Sequence, residues 1–220
     1  MVSLAPLGTR ERPAPGVRTR MADEERLIAR ATAGDTAAFR QLYERHRTDV
    51  ARLVYRMLAG RGDFEDVVQE VFVQVYKSLK DFRAQSKFST WLHRVTVNVV
   101  LMHRRAARSR PAFHDDPPGE AFVRSDDIRP DEDAERRERV RAFARLLDRL
   151  ADKKRIVFVL HELEGISPGE IAKIVGAPVL TVRTRLFYAR REIESMLAEE
   201  PALAGLRLGF SKVASGEGET

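Results

Sequence analysis

A chain of 220 residues suits one large domain or two small ones, and its 7% aromatic and 33% charged residues favour two modest helical cores over one thick core. The absence of cysteine excludes disulfides and thiolate metal sites and fits a reducing cytoplasm, while no apolar run approaches the ~20 residues of a membrane span. Lysine and arginine total 39 against 33 acids, a formal charge of +6, so the placement of charge matters more than its sum.

Residues 1–22 read as a disordered leader. Pro6, Pro13 and Pro15 lie among Arg10, Arg12, Arg18 and Arg20, without the apolar stretch of a secretory signal. Met21, just ahead of the first helix signal, is expected to be the true initiator. A short helix over 23–33 ends at Gly34, and Asp35 caps the next. That helix carries an apolar stripe of Phe39, Leu42, Tyr43, Val50, Leu53, Val54, Met57 and Leu58 up to Gly60 and Gly62. A third helix from near Asp63 shows Phe64, Val67, Val68, Val71, Phe72, Val75, Tyr76 and Leu79 at helical spacing. A fourth from near Phe88 turns Trp91, Leu92, Val95, Val99 and Met102 inward. These four make one helical domain over residues 23–108.

Composition then changes. Residues 109–135 are expected to form a flexible acidic linker: from 111 to 135 nine acids face two arginines, punctuated by Pro111, Pro117, Pro118 and Pro130. Helical signals resume over 136–198 through Val140, Phe143, Leu147 and Leu150, then over about 152–163. There the run Ile156–Leu160 fits a buried strand by periodicity alone, but lacks a partner strand and reads as helix. Two short helices then meet at Gly176. Ser167 is the N-cap of the first, Pro168 its first residue and Glu170 a capping-box acid, with Ile171, Ala172 and Val175 on one face. The second buries Val182, Leu186, Ala189 and Ile193. It turns Leu180, Arg183, Thr184, Phe187, Tyr188 and Arg191 outward, the pattern of a helix-turn-helix reading a DNA groove. Residues 199–220 read as a loose tail. The fold class is all-α: two small helical domains joined by a flexible acidic linker, the second a helix-turn-helix domain.

Catalysis is not indicated, and no cofactor or metal is expected. His161-Glu162 begins like a zinc-protease motif, but Gly165 stands where the second histidine belongs. Two polar patches carry more. Asp66, Gln69 and Glu70, with Glu65, either complement the dipole of the third helix or form an acidic face for a basic partner. Arg94, Asn98, Arg104, Arg105 and Arg108 flank the fourth helix after the polar loop Arg83–Lys87, a combination able to hold a single nucleic-acid strand. Trp91, on the apolar face, suits core packing better than base stacking.

The segments DFEDVVQEVFVQVYKSLKDF (63–82), FSTWLHRVTVNVV (88–100) and EGISPGEIAKIVGAPVLTVRTRLFYAR (164–190) together resemble an extracytoplasmic-function (ECF) sigma factor of the sigma-70 family. The resemblance covers residues 23–197 and implies two helical bodies, region 2 and region 4, that recruit core RNA polymerase to promoters. It implies that Asp66, Gln69, Glu70 and Phe72 dock on the clamp coiled coil of the β′ subunit, with the β subunit a further contact; Phe72 equally fits the buried stripe. It assigns Ser86, Lys87, Phe88, Arg94, Asn98, Arg104 and Arg105 to the −10 element, and Arg183, Thr184, Phe187 and Tyr188 to the −35 element. Tyr188 stands where some members carry a basic residue. The linker resembles the connector that enters the polymerase channel, and an anti-sigma factor is the further partner implied. The alternatives are a helix-turn-helix regulator acting without polymerase and an adaptor module held by protein partners.

Overall fold

The structure, a computed structural model, describes residues 15–60, 64–109 and 130–204, with side chains over 22–60, 64–109 and 135–204. The described residues form helices and turns, with no strand. They are α1 (Pro15–Thr32), α2 (Thr36–Leu58), α3 (Phe64–Ser78), α4 (Phe88–Ser109), α5 (Pro130–Arg149), α6 (Asp152–Phe158), α7 (Pro168–Val175) and α8 (Val179–Ala198). Single 3₁₀ turns follow α3 (Leu79–Asp81) and α8 (Pro201–Leu203).

Two expected boundaries move. The first helix begins at Pro15 rather than 23, because proline's missing N–H and fixed φ suit a first helical turn; residues 1–14 lie outside the described residues. The expected linker loses both ends: Ser109 still belongs to α4, and residues 130–135 already belong to α5, which Pro130 opens in the same way. Its middle, 110–129, and the tail from 205 lie outside the described residues.

Local chemistry sets the other ends. Asp35 caps α2 by accepting from the Ala38 N–H at 3.0 Å. That bond, with the Arg30 guanidinium at 2.6 Å, holds its carboxyl below the ordinary carboxylate value. The reversal after α2 starts one residue before the expected glycine, at left-handed Ala59 (φ 56°), followed by Gly60 (φ 71°). The run Ile156–Leu160 is helical and wholly buried, and the chain widens into a π turn over Val159–Leu163. A helix enclosed on all sides needs no polar face, which is why periodicity alone left strand open.

Helix α4 organises the rest. It packs on α2 and α3 along one side and on α7 along the other, so Thr96, Val97 and Val100 are buried as well as the expected Leu92 and Val99. The Thr96 hydroxyl donates back to the Leu92 carbonyl at 2.9 Å, which satisfies it inside the core. Hence the buried residues of both halves form one continuous cluster rather than two separate cores. Two residues expected inside are on the surface. Met102 is 65% exposed beside the N-terminal half of α3, and Tyr76 is 54% exposed, with the Phe39 ring edge-on against it at 5.0 Å.

The helix-turn-helix forms much as its residues suggest. Ser167 Oγ accepts from the Glu170 N–H at 3.3 Å, Pro168 opens α7, and Gly176 (φ 62°) is its left-handed C-cap. Ile171 and Ile174 take the fully buried positions of α7, while Ala172 and Val175 pack half-buried beside them. No atom lies within 4 Å of a Cβ built on Gly176, so the demand for glycine there is conformational rather than steric. Gly176→Ala should therefore cost about 1 kcal/mol through backbone strain, seen as a lower urea midpoint with an unchanged m-value.

Candidate nucleic-acid interface

Val182, Leu186, Ala189 and Ile193 seat α8 on the core, which leaves the opposite face bare. Arg183 and Thr184 are exposed there, with Leu180 at 74% and Phe187 at 56%. The Thr184 hydroxyl donates to the Leu180 carbonyl at 3.0 Å, which fixes its rotamer. Phe187 meets Tyr188 edge-on at 5.4 Å and lies under Arg191 at 5.7 Å, while Lys154 stands 5.8 Å over the Tyr188 ring. That ammonium, from α6, is also paired with Glu192 of α8. Not every arginine of this helix is available: Arg190 donates to Glu162 at 2.7 Å and is mostly covered.

The residues expected at the −10 element divide. Arg94, Asn98 and Arg105 share one exposed face of α4, and exposed Lys87 lies in the loop ahead of it. Ser86 is half-buried and donates to the Lys87 carbonyl at 3.3 Å. Phe88 is buried at the base of an aromatic cluster, 5.6 Å from Phe82, 5.5 Å from Trp91 and 5.2 Å from His46. It supports the loop from beneath, and half-buried Phe82 and Trp91 form the upper layer. Arg104 points elsewhere, toward acids of α5 and α6.

On α3, Asp66, Gln69 and Glu70 are exposed, and Gln74 donates to Glu70 at 2.7 Å. Phe72 is buried edge-on against Tyr43 at 4.6 Å, so it holds the helix in place from the core side. Asp66 and Glu70 overlook a cleft of about 450 Å³ between α3 and α4 that Val67, Met102 and His103 also line. An acidic rim over an apolar floor is a receptive surface for a basic, partly apolar helix.

The sequence matches Sigma-70 region 2 over residues 42–110 and Sigma-70, region 4 over residues 141–193. It is 35% identical to the ECF RNA polymerase sigma-E factor of Haemophilus influenzae over 79% of this chain and 95% of that protein. Identity to the Escherichia coli K12 sigma-E factor is 37%, over 77% of this chain and 91% of that one. The chain belongs to the ECF sigma factors. Among solved structures, that of CnrH in complex with the cytosolic domain of CnrY superposes with a TM-score of 0.60 at 28% identity, over 80% of this chain and 98% of CnrH. Members of this family are non-enzymatic initiation factors that bind core RNA polymerase and direct it to promoters, and this sigma factor is one of them.

Region 2 thus takes in most of α2 with α3 and α4, and region 4 takes in the C-terminal part of α5, α6, α7 and most of α8. Between them runs a set of charges that sequence reasoning missed. Arg104 donates to Asp152 at 2.9 Å and to Asp148 at 3.2 Å, and Arg108 donates to Asp152 at 2.9 Å. Arg56 donates to Glu164 and to the Leu163 carbonyl, both at 2.7 Å, and Arg52 lies 3.6 Å from Glu164. Burial works against the charge on Asp152, yet the hydrogen bond and charge of Arg104, with Arg108 and Arg155 behind it, hold its carboxyl below the usual value. Burial also pushes the His93 imidazole, on α4, below its ordinary value, against the pull of Glu164 and Asp49. The one sequence clue was Arg155, a cation leading directly into the apolar run Ile156–Leu160.

With Arg183 exposed on the outer face of α8, Arg183→Ala should cost about 1–3 kcal/mol of discrimination between the native upstream element and a scrambled one, measured by competition binding of the polymerase complex. Equal loss on both DNAs would mean phosphate contact only.

Proposed function

We propose a division of labour among three faces of this sigma factor. The α3 stripe of Asp66, Gln69 and Glu70 docks core polymerase through the β′ clamp coiled coil, with the β subunit a further contact, and Met102 and the cleft floor add apolar area. The α4 face of Arg94, Asn98 and Arg105, with Ser86, Lys87 and the aromatic cluster under the loop, takes the parted −10 strand: guanidinium groups neutralise phosphate, and Phe82 and Trp91 back an unstacked base. The α8 face of Arg183, Thr184, Phe187 and Tyr188 reads the −35 duplex, with Leu180 as an apolar neighbour for a thymine methyl. Polymerase supplies the chemistry, in the cytoplasm, and the chain needs no cofactor.

One observation carries this reading above the others: the acidic stripe, the basic α4 face and the reader helix are exposed at once on separate faces of one chain. Each surface is too small to hold its target alone, and joining them through polymerase converts weak contacts into selective ones by effective concentration. The match to region 2 removes the need for a regulator acting without polymerase. An anti-sigma factor suits the same exposed faces, in keeping with the solved complex of CnrH with the cytosolic domain of CnrY.

Run-off transcription with core polymerase on genomic fragments tests the assignment, and new start sites dependent on this protein are expected. Asp66→Arg with Glu70→Arg should weaken core binding by about tenfold or more, about 1.4 kcal/mol, with an unchanged thermal midpoint. Unaltered core affinity in that variant would place the docking surface elsewhere.

A further inference from the structure

A charge pair borders the outer face of α8. Lys154, on α6, pairs its ammonium with Glu192 and stands 5.8 Å over the Tyr188 ring. Tyr188 and Glu192 are four residues apart on α8, so ring and carboxylate lie one above the other along the helix. All three residues fall inside the region 4 match, where α6 packs on α8, so the arrangement belongs to one body. Glu192 is also the first acid of α8, following Arg183, Arg185, Arg190 and Arg191.

The pair is weakly held. The Lys154 side chain is 30% exposed and that of Glu192 43%, so both groups keep much of their water and their attraction contributes little to stability. The neighbouring pair of Arg190 and Glu162 is mostly covered and ties α8 to the π turn after α6 instead. Lysine carries a compact charge on a flexible stem, and the face of the Tyr188 ring attracts that charge and keeps it at the border of the outer face. A DNA backbone drawn to exposed Arg183 and Arg191 brings phosphate to this same border, where a bare Glu192 would repel it.

We propose that Lys154 is a further promoter-contact residue, held by Glu192 in the free protein and transferred to a backbone phosphate beside the −35 element when α8 seats in the groove. This rests on the reading above, in which the outer face of α8 meets the −35 duplex. One cation serves two anions in turn, and the Tyr188 ring is the platform across which it moves. The contact carries no sequence information; it fixes the register in which Arg183 and Thr184 meet the bases. Glu192 limits its strength, because the carboxylate competes with phosphate for the same ammonium. The sequence-independent share of the affinity therefore stays small.

The test is binding of the holoenzyme, core polymerase with the full chain, to a genomic fragment whose start site run-off transcription has located, over a range of salt. Lys154→Ala with Glu192→Gln removes both charges, keeps the net charge and so isolates the contact. Binding should weaken about threefold to tenfold, and the slope of log affinity against log salt should fall by about one. The same loss is expected when the −35 sequence is scrambled. Glu192→Gln alone should tighten binding about twofold to fivefold, since nothing then competes for the ammonium. A neutral methylphosphonate scanned along each strand should find a position that weakens the wild type and leaves the double variant unaffected. Both variants should keep the wild-type thermal midpoint, since the pair lies at the surface. A double variant with wild-type affinity and salt slope overturns the transfer, because a pair left intact on DNA can be replaced by two neutral groups at no loss. So does a Glu192→Gln that gains nothing. Arg183→Ala is measured on the same fragment. If it weakens binding while the double variant does not, the Lys154 contact alone fails; if neither it nor scrambling the −35 sequence alters binding, the reading of α8 fails and the contact falls with it.

Discussion

A guanidinium buried to 1% exposure cannot be left without partners, and Arg155 shows how this fold meets that demand. It gathers the carbonyls of Leu147, Asp148 and Leu150 at the end of α5, pairs with Asp148, and so fixes the angle at which α6 departs from α5. Burial, with Arg104 nearby, pushes it down to about 10, still well above neutral, so it remains a cation where it sits. Removing such a partner from a buried charge costs about 3–5 kcal/mol, more than most single contacts in a domain of this size. The helix-turn-helix is laid on this base: α6 packs on α8, and α7 packs on both α8 and α4.

From that base the exposed faces differ in chemistry. The outer face of α8 is basic and aromatic, with an apolar seat behind it. The α3 face is acidic over an apolar cleft, and the α4 face is basic beside an aromatic layer. None is catalytic in design: the polar groups are spread along helix surfaces for contact, not converged on a reacting atom. Helix α4 stands apart because it serves two surfaces. One side offers Arg94, Asn98 and Arg105 outward, and another commits Arg104 and Arg108 to region 4.

Much of the fold was legible residue by residue. The four-three-four spacing of Val182, Leu186, Ala189 and Ile193 names the buried side of α8, because helical period alone decides it. Ser167, Pro168 and Gly176 mark the ends of α7 through capping and backbone conformation, which are local effects. Phe72 shows the limit. A phenylalanine one turn from exposed acids fits docking and core equally well, and only the Tyr43 ring against it makes it core. Met102 and Tyr76 carry the apolar signature of buried residues, yet both are exposed, Met102 on the wall of the open cleft between α3 and α4.

The sequence by itself determined the helical class, the two-part plan, the buried and outward faces of α8 and the polar stripes, since each follows from interactions within about one turn of chain. Only the tertiary structure decided that the two cores are continuous, that α4 is covered on both sides, and that Arg104 faces acids more than forty positions away. Arg104 and Arg105 are neighbours of the same type and are indistinguishable in composition. The 100° that a helix turns between them sends one toward solvent and the other into region 4, and which is which depends on where the distant helices pack.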